Sequence, residues 1–184
     1  MEIKQNEAEA QAILLRCTEL GSMYYDGIGV SQDYKEAVRW NRMAADQGFA
    51  AAQFNLGWMY YEGKGVSQDY KKALSWFHLA ADQGFAMAQE LIGVMYFKGE
   101  GVSQDYKEAI RWFRLAADQG EAESQTFLGW MHYEGHGVRE NLKEAARWFR
   151  LAAEQGDAMA QVMLDRLSSS QHKKGETNDG GSND

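Results

Sequence analysis

The 184-residue sequence contains no proline and a single cysteine, Cys17. Without a second cysteine the chain cannot close an internal disulfide, so packing alone must hold the fold. Without proline, the residue that most often breaks helices is missing. Glycines and charged residues interrupt every apolar stretch well before the roughly 20 residues that a membrane-spanning helix needs. The sequence therefore predicts an uninterrupted helical fold with no transmembrane segment.

Positive charge is in deficit. The chain has 19 Lys and Arg against 27 Asp and Glu, a net charge of −8. Nucleic acids and anionic membranes favour a clustered positive surface, so we expect neither as a partner. A protein or peptide with a basic surface is the easier expectation. The polar, acidic start of the chain lacks the apolar segment of a secretory signal. With one cysteine, this favours a cytoplasmic location, and a secreted or periplasmic one stays open if a leader was removed.

Internal repetition is what the sequence has in abundance. Four segments of 36 residues align without a gap, namely 20–55, 56–91, 92–127 and 128–163. Two residue types recur at one place in every segment: Gly21, Gly57, Gly93 and Gly129, and Trp40, Trp76, Trp112 and Trp148. The period predicts one structural unit per segment. We interpret the invariant tryptophans as core residues because every unit must satisfy the same packing.

Each segment predicts two helices. In the second segment, the apolar spacing predicts a first helix over 50–62 and a second helix that ends at Gly84. The glycines of the turn at 63–66 can supply the positive φ that reverses the chain. A glycine inside a helix costs about 1 kcal/mol relative to alanine, so Gly57 predicts the close approach of a neighbouring helix.

The start of each second helix carries a capping residue. These residues are Asp33, Asp69, Asp105 and Asn141. In three segments a glutamate follows three residues later, which predicts the reciprocal hydrogen bonds of a capping box. The glutamates are Glu36, Glu108 and Glu144.

The third segment spells out a family motif. It reads Ala-x-Ala-Gln-x-x-Leu-Gly-x-Met-Tyr-x-x-Gly-x-Gly-Val over 86–102, with Ile92 in the leucine place, and Asp-Tyr-x-x-Ala-x-x-Trp-x-x-x-Ala-Ala-x-Gln-Gly over 105–120. This pattern resembles the Sel-1-like repeat family over about residues 20–167. The resemblance implies an all-α fold, a right-handed α-solenoid of four helix-turn-helix repeats plus capping helices. It also implies an adaptor role in protein-protein interaction.

Solenoid ends need caps, because an inner repeat exposes apolar surface on both sides. We expect an N-terminal capping helix over 1–19 and a C-terminal capping helix over 157–167, where Asp165 replaces the repeat glycine. The polar segment 168–184 predicts a disordered tail. In the fourth repeat, His132 replaces the motif tyrosine and the residues at 139–142 also depart from the motif, so we expect a looser turn there.

Positions that vary between repeats are free to meet a partner. On the first helices they fall four residues apart and share one face, which in a solenoid lines a concave binding surface. The predicted partner-binding residues are Phe54, Trp58, Glu62, Glu90, Val94, Lys98, Thr126, Trp130 and Glu134. Trp58 and Trp130 are the strongest candidates, since tryptophan is enriched among residues that dominate interface energy. The alternative is that both pack between helices.

No residue pattern predicts catalysis, a metal or a cofactor. His132 and His136 have a zinc-like spacing, but His136 falls inside a Gly-x-Gly turn rather than on the helix of His132. The Gly-x-Gly turns lack the strand and third glycine of a dinucleotide site. Cys17 is interpreted as an inert, half-buried thiol.

Three functions follow in decreasing order of support. The first is a non-enzymatic adaptor or scaffold that binds a protein or peptide with a basic or aromatic-complementary surface. The second is a bacterial immunity or inhibitor protein that neutralises a cationic toxin or enzyme. The third, hydrolase activity, is suggested for some disulfide-rich relatives, and no residue here supports a mechanism for it.

Overall fold

The structure is a computed structural model that describes residues 2–176, with side chains described over 8–169. Within 2–176 the chain forms nine helices and no strand, so the all-α prediction is confirmed. The helices are α1 (Glu2–Asp26), α2 (Tyr34–Ala45), α3 (Ala50–Glu62), α4 (Tyr70–Ala81), α5 (Ala86–Lys98), α6 (Tyr106–Asp118), α7 (Ala122–Glu134), α8 (Leu142–Glu154) and α9 (Ala158–Glu176). They fall into two compact units, a first unit of α1–α5 and a second unit of α6–α9.

The turn between paired helices is closed by glycine and by one backbone bond. After α3, Gly63 and Gly65 both take the left-handed conformation, with φ of 73° and 72°. The N–H of Asp69 then donates to the carbonyl of Tyr60 at 2.9 Å, which ties the start of α4 to the end of α3. The observed bounds of α3 match the predicted helix over 50–62. The turn of the fourth repeat has the same form, with φ of 75° at Gly135, so the expected looser turn is wrong.

The predicted capping box forms only half of its hydrogen bonds. The Asp33 carboxylate accepts from the N–H of Lys35 at 2.9 Å and of Glu36 at 3.2 Å, as an N-cap should. The N–H of Asp33, however, donates to the carbonyl of Tyr24 at 2.9 Å. Because that donor is already used, the carboxylate of Glu36 turns away and pairs with Arg39 at 3.3 Å. The reciprocal hydrogen bond from the Asp33 N–H to Glu36 therefore does not form at the start of α2, and that prediction is wrong there.

The repeat glycine has no room for a side chain, because the paired helix packs directly against it. A Cβ built on Gly57 would lie 2.8 Å from the ring of Phe77, and one on Gly129 would lie 2.6 Å from the ring of Phe149. Both phenylalanines are fully buried. The predicted close approach is confirmed, and the side chain that demands it is the phenylalanine of the following second helix.

The invariant tryptophans are less buried than predicted. Trp148 is 6% exposed, but Trp40, Trp76 and Trp112 are only half-buried. Neighbouring residues on a helix point about 100° apart, so tryptophan and the next residue cannot both face the paired first helix. In α4 that central place belongs to Phe77, and Trp76 lies at the edge of the core.

The two end helices are longer than repeat helices. The predicted cap over 1–19 is continuous with the first repeat helix in α1. At the other end Asp165 is exposed, and no second helix follows α9 within the described residues. α9 extends to Glu176 rather than ending at 167, and the hydroxyls of Ser168 and Ser169 donate to the Asp165 carbonyl at 2.8 Å. Residues 177–184 of the predicted tail lie outside the described residues.

Candidate functional site

The first helices of the first unit border an open pocket of about 170 Å³. Its lining comes from three helices, with Ser22, Tyr25 and Asp26 on α1, Asn41 on α2, and Asn55, Trp58 and Met59 on α3. Ser22 and Asp26 lie one helical turn apart and therefore share the pocket-facing side of α1. The pocket thus lies between the first helices of two successive repeats.

Trp58 forms one wall of this pocket. Its ring stacks on Tyr61, one turn further along α3, with the ring centroids 5.6 Å apart and the planes 18° apart. Its indole N–H donates to the hydroxyl of Tyr25 on α1 at 3.3 Å. Trp58 is half-buried, so these contacts hold the ring in place while part of it stays open to solvent.

Tyr25 connects Trp58 to a charged pair. The Tyr25 hydroxyl hydrogen-bonds to the Glu62 carboxylate, and Lys64 reaches both the Tyr25 hydroxyl, at 3.1 Å, and Glu62, at 3.0 Å. Burial acts to raise the pKa of Glu62, but the hydrogen bonds from Tyr25 and Lys64 outweigh it and hold the pKa below its usual value. Glu62 therefore stays ionised, and Lys64 balances its charge.

Two asparagines open the pocket where other repeats place apolar side chains. Asn41 occupies the place of Phe77 and Phe149, and Asn55 occupies the place of Leu91. The Nδ2 of Asn41 donates to the Ala37 carbonyl at 3.0 Å, and the Nδ2 of Asn55 donates to the Oδ1 of Asn41 at 3.1 Å. Our sequence reasoning missed both residues. The signal that could have found them is the break in the repeat at these two positions.

The predicted partner-binding residues differ in exposure along each helix. Each first helix contributes three of these residues, four positions apart, and the first of the three lies inward. Phe54 packs against Phe77 and Phe85 with ring centroids 5.7 and 5.0 Å away. Glu90 and Thr126, at the same place, are half-buried. At the second place, Trp58 and Val94 are half-buried and Trp130 is exposed. All three residues at the third place are exposed, namely Glu62, Lys98 and Glu134. Phe54 therefore packs within its own unit and is half-buried, and its role as a partner contact stays a prediction.

The second unit carries its own aromatic surface. Trp130 is 38% exposed. The His136 ring stacks on Tyr106 at 4.8 Å and lies 6.1 Å from the ring of Trp130. His132 is on α7 and His136 follows the end of that helix, as predicted. Among the side chains that the structure describes, no group of three His, Cys, Asp or Glu residues could hold a metal ion.

A model of the Sel1 repeat matches four consecutive stretches, residues 17–49, 50–85, 86–121 and 122–157. The chain belongs to the Sel1 repeat family. Three of the matched stretches begin at the first residue of α3, α5 or α7. Sel1 repeat proteins are generally protein-interaction modules.

Solved structures support the Sel1 repeat solenoid. A protective antigen present in uropathogenic Escherichia coli strains is 38% identical, with a TM-score of 0.85, covering 91% of this chain and 36% of its own. A Sel1 repeat protein from Oxalobacter formigenes is 38% identical, with a TM-score of 0.80, covering 83% of this chain and 62% of its own. The Helicobacter pylori cysteine rich protein B, at 22% identity and a TM-score of 0.57, covers 72% of this chain and 96% of its own, and supports the fold alone.

The chain is shorter than the first two of these relatives and spans about a third and about three fifths of their lengths. A comparison with curated proteins finds no match. None of the helices over the described stretch is long and apolar enough to cross a membrane.

The fourth Sel1 repeat buries an imidazole where the family motif has tyrosine. His132 is 9% exposed, and neither ring nitrogen has a hydrogen-bond partner among the described residues. In the second repeat, the equivalent Tyr60 hydroxyl accepts a hydrogen bond from Arg42 at 2.7 Å. Burial lowers the pKa of His132; the Glu144 carboxylate opposes this shift, and the charge of Arg114 reinforces it.

We expect His132→Tyr to stabilise the second unit by about 1 kcal/mol or more, because it removes a buried group without a partner. The gain should grow as the pH falls. The folded His132 has the lower pKa, so acid protonates the unfolded chain first and destabilises the wild type below about pH 6.5. Thermal unfolding at pH 7.5 and pH 5.5 would measure both effects.

The matched control is His136→Ala, which changes a histidine four residues away that is not fully buried. The His136→Ala protein keeps His132 and should therefore still lose stability between the two pH values. An H132Y protein that loses as much stability as the wild type between the two pH values would contradict this assignment.

Proposed function

We propose that this Sel1 repeat chain is a non-enzymatic adaptor or scaffold that binds a partner protein or peptide through its first helices. The binding surface consists of two patches. The Trp58 patch comprises Ser22, Tyr25, Asp26, Asn55 and Trp58 in the first unit. The Trp130 patch comprises Trp130, Glu134 and His136 in the second unit.

The observation that carries the proposal is the placement of the two tryptophans. Trp58 borders an open pocket, and Trp130 exposes 38% of its surface although it lies on a helix that packs against α8. Aromatic side chains that are held rigidly yet remain accessible lose little conformational entropy when a partner covers them. Tryptophan is also among the residues that contribute most to interface energy.

The other candidate residues take supporting places in the proposal. We also propose two residues on α5, outside the two patches, as partner contacts: Val94, which is half-buried, and Lys98, which is exposed. Glu90 and Thr126 are half-buried at the inner place that Phe54 also occupies. We assign these inner residues the role of fixing the first helices rather than touching the partner.

The experiment uses peptides selected from a phage-displayed random library on the whole wild-type chain. Trp58→Ala and Trp130→Ala should each weaken binding of the selected peptides. A hot-spot loss of about 2 kcal/mol corresponds to roughly 30-fold in Kd. Titration by fluorescence anisotropy would measure it.

Leu79→Ala and Leu115→Ala are the matched controls, because these leucines are 46% and 45% exposed on second helices, one in each unit. Both controls should bind like the wild type. Peptides that lose affinity for the leucine variants while ignoring both tryptophan variants would place the binding surface on the second helices and refute the proposal.

A narrower form of the proposal is a bacterial immunity or inhibitor protein that covers the active site of a cationic toxin or enzyme. The net charge of −8 supports a basic partner. Its test is protection of cells that express a candidate toxin, and growth arrest despite co-expression of this chain would exclude that toxin.

A further inference from the structure

We propose that the pocket of the Trp58 patch receives the side chain of an arginine from the partner. This inference rests on the proposed function, because it names the chemistry that the patch recognises. It follows from the hydrogen-bonding groups that the pocket lining has already used and from those that it has left.

The indole, phenol and amide groups around the pocket each donate one hydrogen bond within the protein. The Trp58 indole N–H donates to Tyr25, and the Tyr25 hydroxyl is bonded to the Glu62 carboxylate, which can only accept. The Nδ2 of Asn41 must face the Ala37 carbonyl, because a carbonyl can only accept. The Oδ1 of Asn41 therefore faces Asn55 and accepts a hydrogen bond from its Nδ2.

Among the groups that remain, the one with a net charge is an acceptor. Asn55 keeps its Oδ1 and the second N–H of its amide, since its bond to Asn41 uses one N–H. Asp26 is exposed at the pocket edge and forms no ion pair among the residues that the structure describes. The hydroxyl of Ser22 can also accept. A lining whose unpaired charge is one carboxylate, with the Asn55 Oδ1 beside it, favours a cation that carries several N–H groups and disfavours an anion.

The aromatic wall favours a planar cation. A guanidinium stacks on an indole face and carries five N–H donors in a fixed plane, whereas an ammonium is a compact, strongly hydrated charge. Lys64 already lies 5.0 Å from the centroid of the Tyr25 ring, and its charge is balanced by Glu62. Trp58 is therefore the wall that we assign to the incoming guanidinium.

The size of the pocket limits the ligand to one side chain. Its volume of about 170 Å³ is well below the roughly 300–1,000 Å³ of pockets that hold whole small molecules. The pocket is also open to solvent, as a site must be if the ligand stays attached to a partner chain. An arginine side chain that enters from the surface meets both conditions.

The probe is the peptide acetyl-Gly-Arg-Gly-amide, added to the whole ¹⁵N-labelled chain. We expect saturable NMR shifts of the Trp58 indole N–H and of the Asn55 side-chain amide. The citrulline peptide, which has the same shape without the charge, and the glutamate peptide should bind about tenfold more weakly or worse. The Trp130 indole signal is the internal control and should not move.

The repeat itself supplies the variants. Asn41→Phe with Asn55→Leu introduces the side chains that other repeats carry and should fill the pocket, which abolishes the shifts; Asn55→Leu alone serves if the double variant does not fold. Asp26→Asn should weaken arginine binding by about tenfold. Shifts that survive in the filled variant, or equal binding of the arginine and citrulline peptides, would overturn the inference.

Failure of this inference is distinguishable from failure of the proposed function. Library-selected peptides that depend on Trp58 but show no preference for arginine and bind the Asn55→Leu variant normally would leave the interaction surface in place. They would remove only the arginine assignment.

Discussion

Gly65→Ala should lower the free energy of unfolding by about 3 kcal/mol or more, the largest effect of any single methyl group that we predict. Gly65 has a φ of 72°, and a Cβ there would lie 2.5 Å from the carbonyl carbon of Tyr34 and closer still to its oxygen. The left-handed conformation alone costs a side chain about 1–2 kcal/mol. The backbone of the preceding repeat adds a clash that no rotamer change can relieve. Chemical denaturation followed by circular dichroism would measure the loss.

Gly84→Ala is the matched control. Gly84 has a similar φ, 84°, but a Cβ built there meets no heavy atom within 4 Å. Its substitution should therefore cost only the conformational strain, about 1–2 kcal/mol. Equal losses in the two variants would show that Gly65 is retained for its φ alone, and that the close contact between successive repeats does not constrain the turn.

Phe77→Ala should cost about 3–5 kcal/mol, because Phe77 is fully buried and its ring lies against the repeat glycine Gly57. The truncation leaves a cavity between α3 and α4 beside Gly57, and Phe54, whose ring lies 5.7 Å away, loses a packing partner. Thermal and denaturant unfolding of the whole chain are the appropriate measurements.

Leu79→Ala is the control on the same helix, two residues away and 46% exposed. It should change the stability by no more than about 0.5 kcal/mol. If Phe77→Ala were as mild as Leu79→Ala, the phenylalanine would not be the centre of the repeat core, and the assignment of that role to the invariant tryptophan would return.

The helices and turns could be predicted because local chemistry dictates them. Gly63 and Gly65 end one helix, and Asp69 begins the next, so the bounds of α3 follow from a few residues. Local chemistry does not determine the side from which the paired helix packs. That side decides that Phe77, rather than Trp76, lies at the centre. The pattern of identity between repeats favours Trp76 instead, because its place is tryptophan in all four repeats whereas the place of Phe77 is Asn41 in the first.

The candidate pocket could not be predicted from the residues that are identical in all repeats, or from which residue types are usually exposed. It depends on two asparagines that interrupt an apolar repeat in only one place, Asn41 and Asn55. A polar residue at a core position is costly unless it is hydrogen-bonded, and each of these amides finds its partner only once α1, α2 and α3 are assembled. The fold also pairs Glu62 with Lys64 in a salt bridge, whereas the sequence alone presented Glu62 as a free acidic residue.

The most direct test of the central claim is an NMR map of backbone and indole shifts when a library-selected peptide binds the whole chain. The account predicts that the shifts concentrate on the first helices, at Ser22, Asn55 and Trp58 or around Trp130. Shifts confined to the exposed faces of α4, α6 and α8, with Trp58 and Trp130 unmoved, would contradict it.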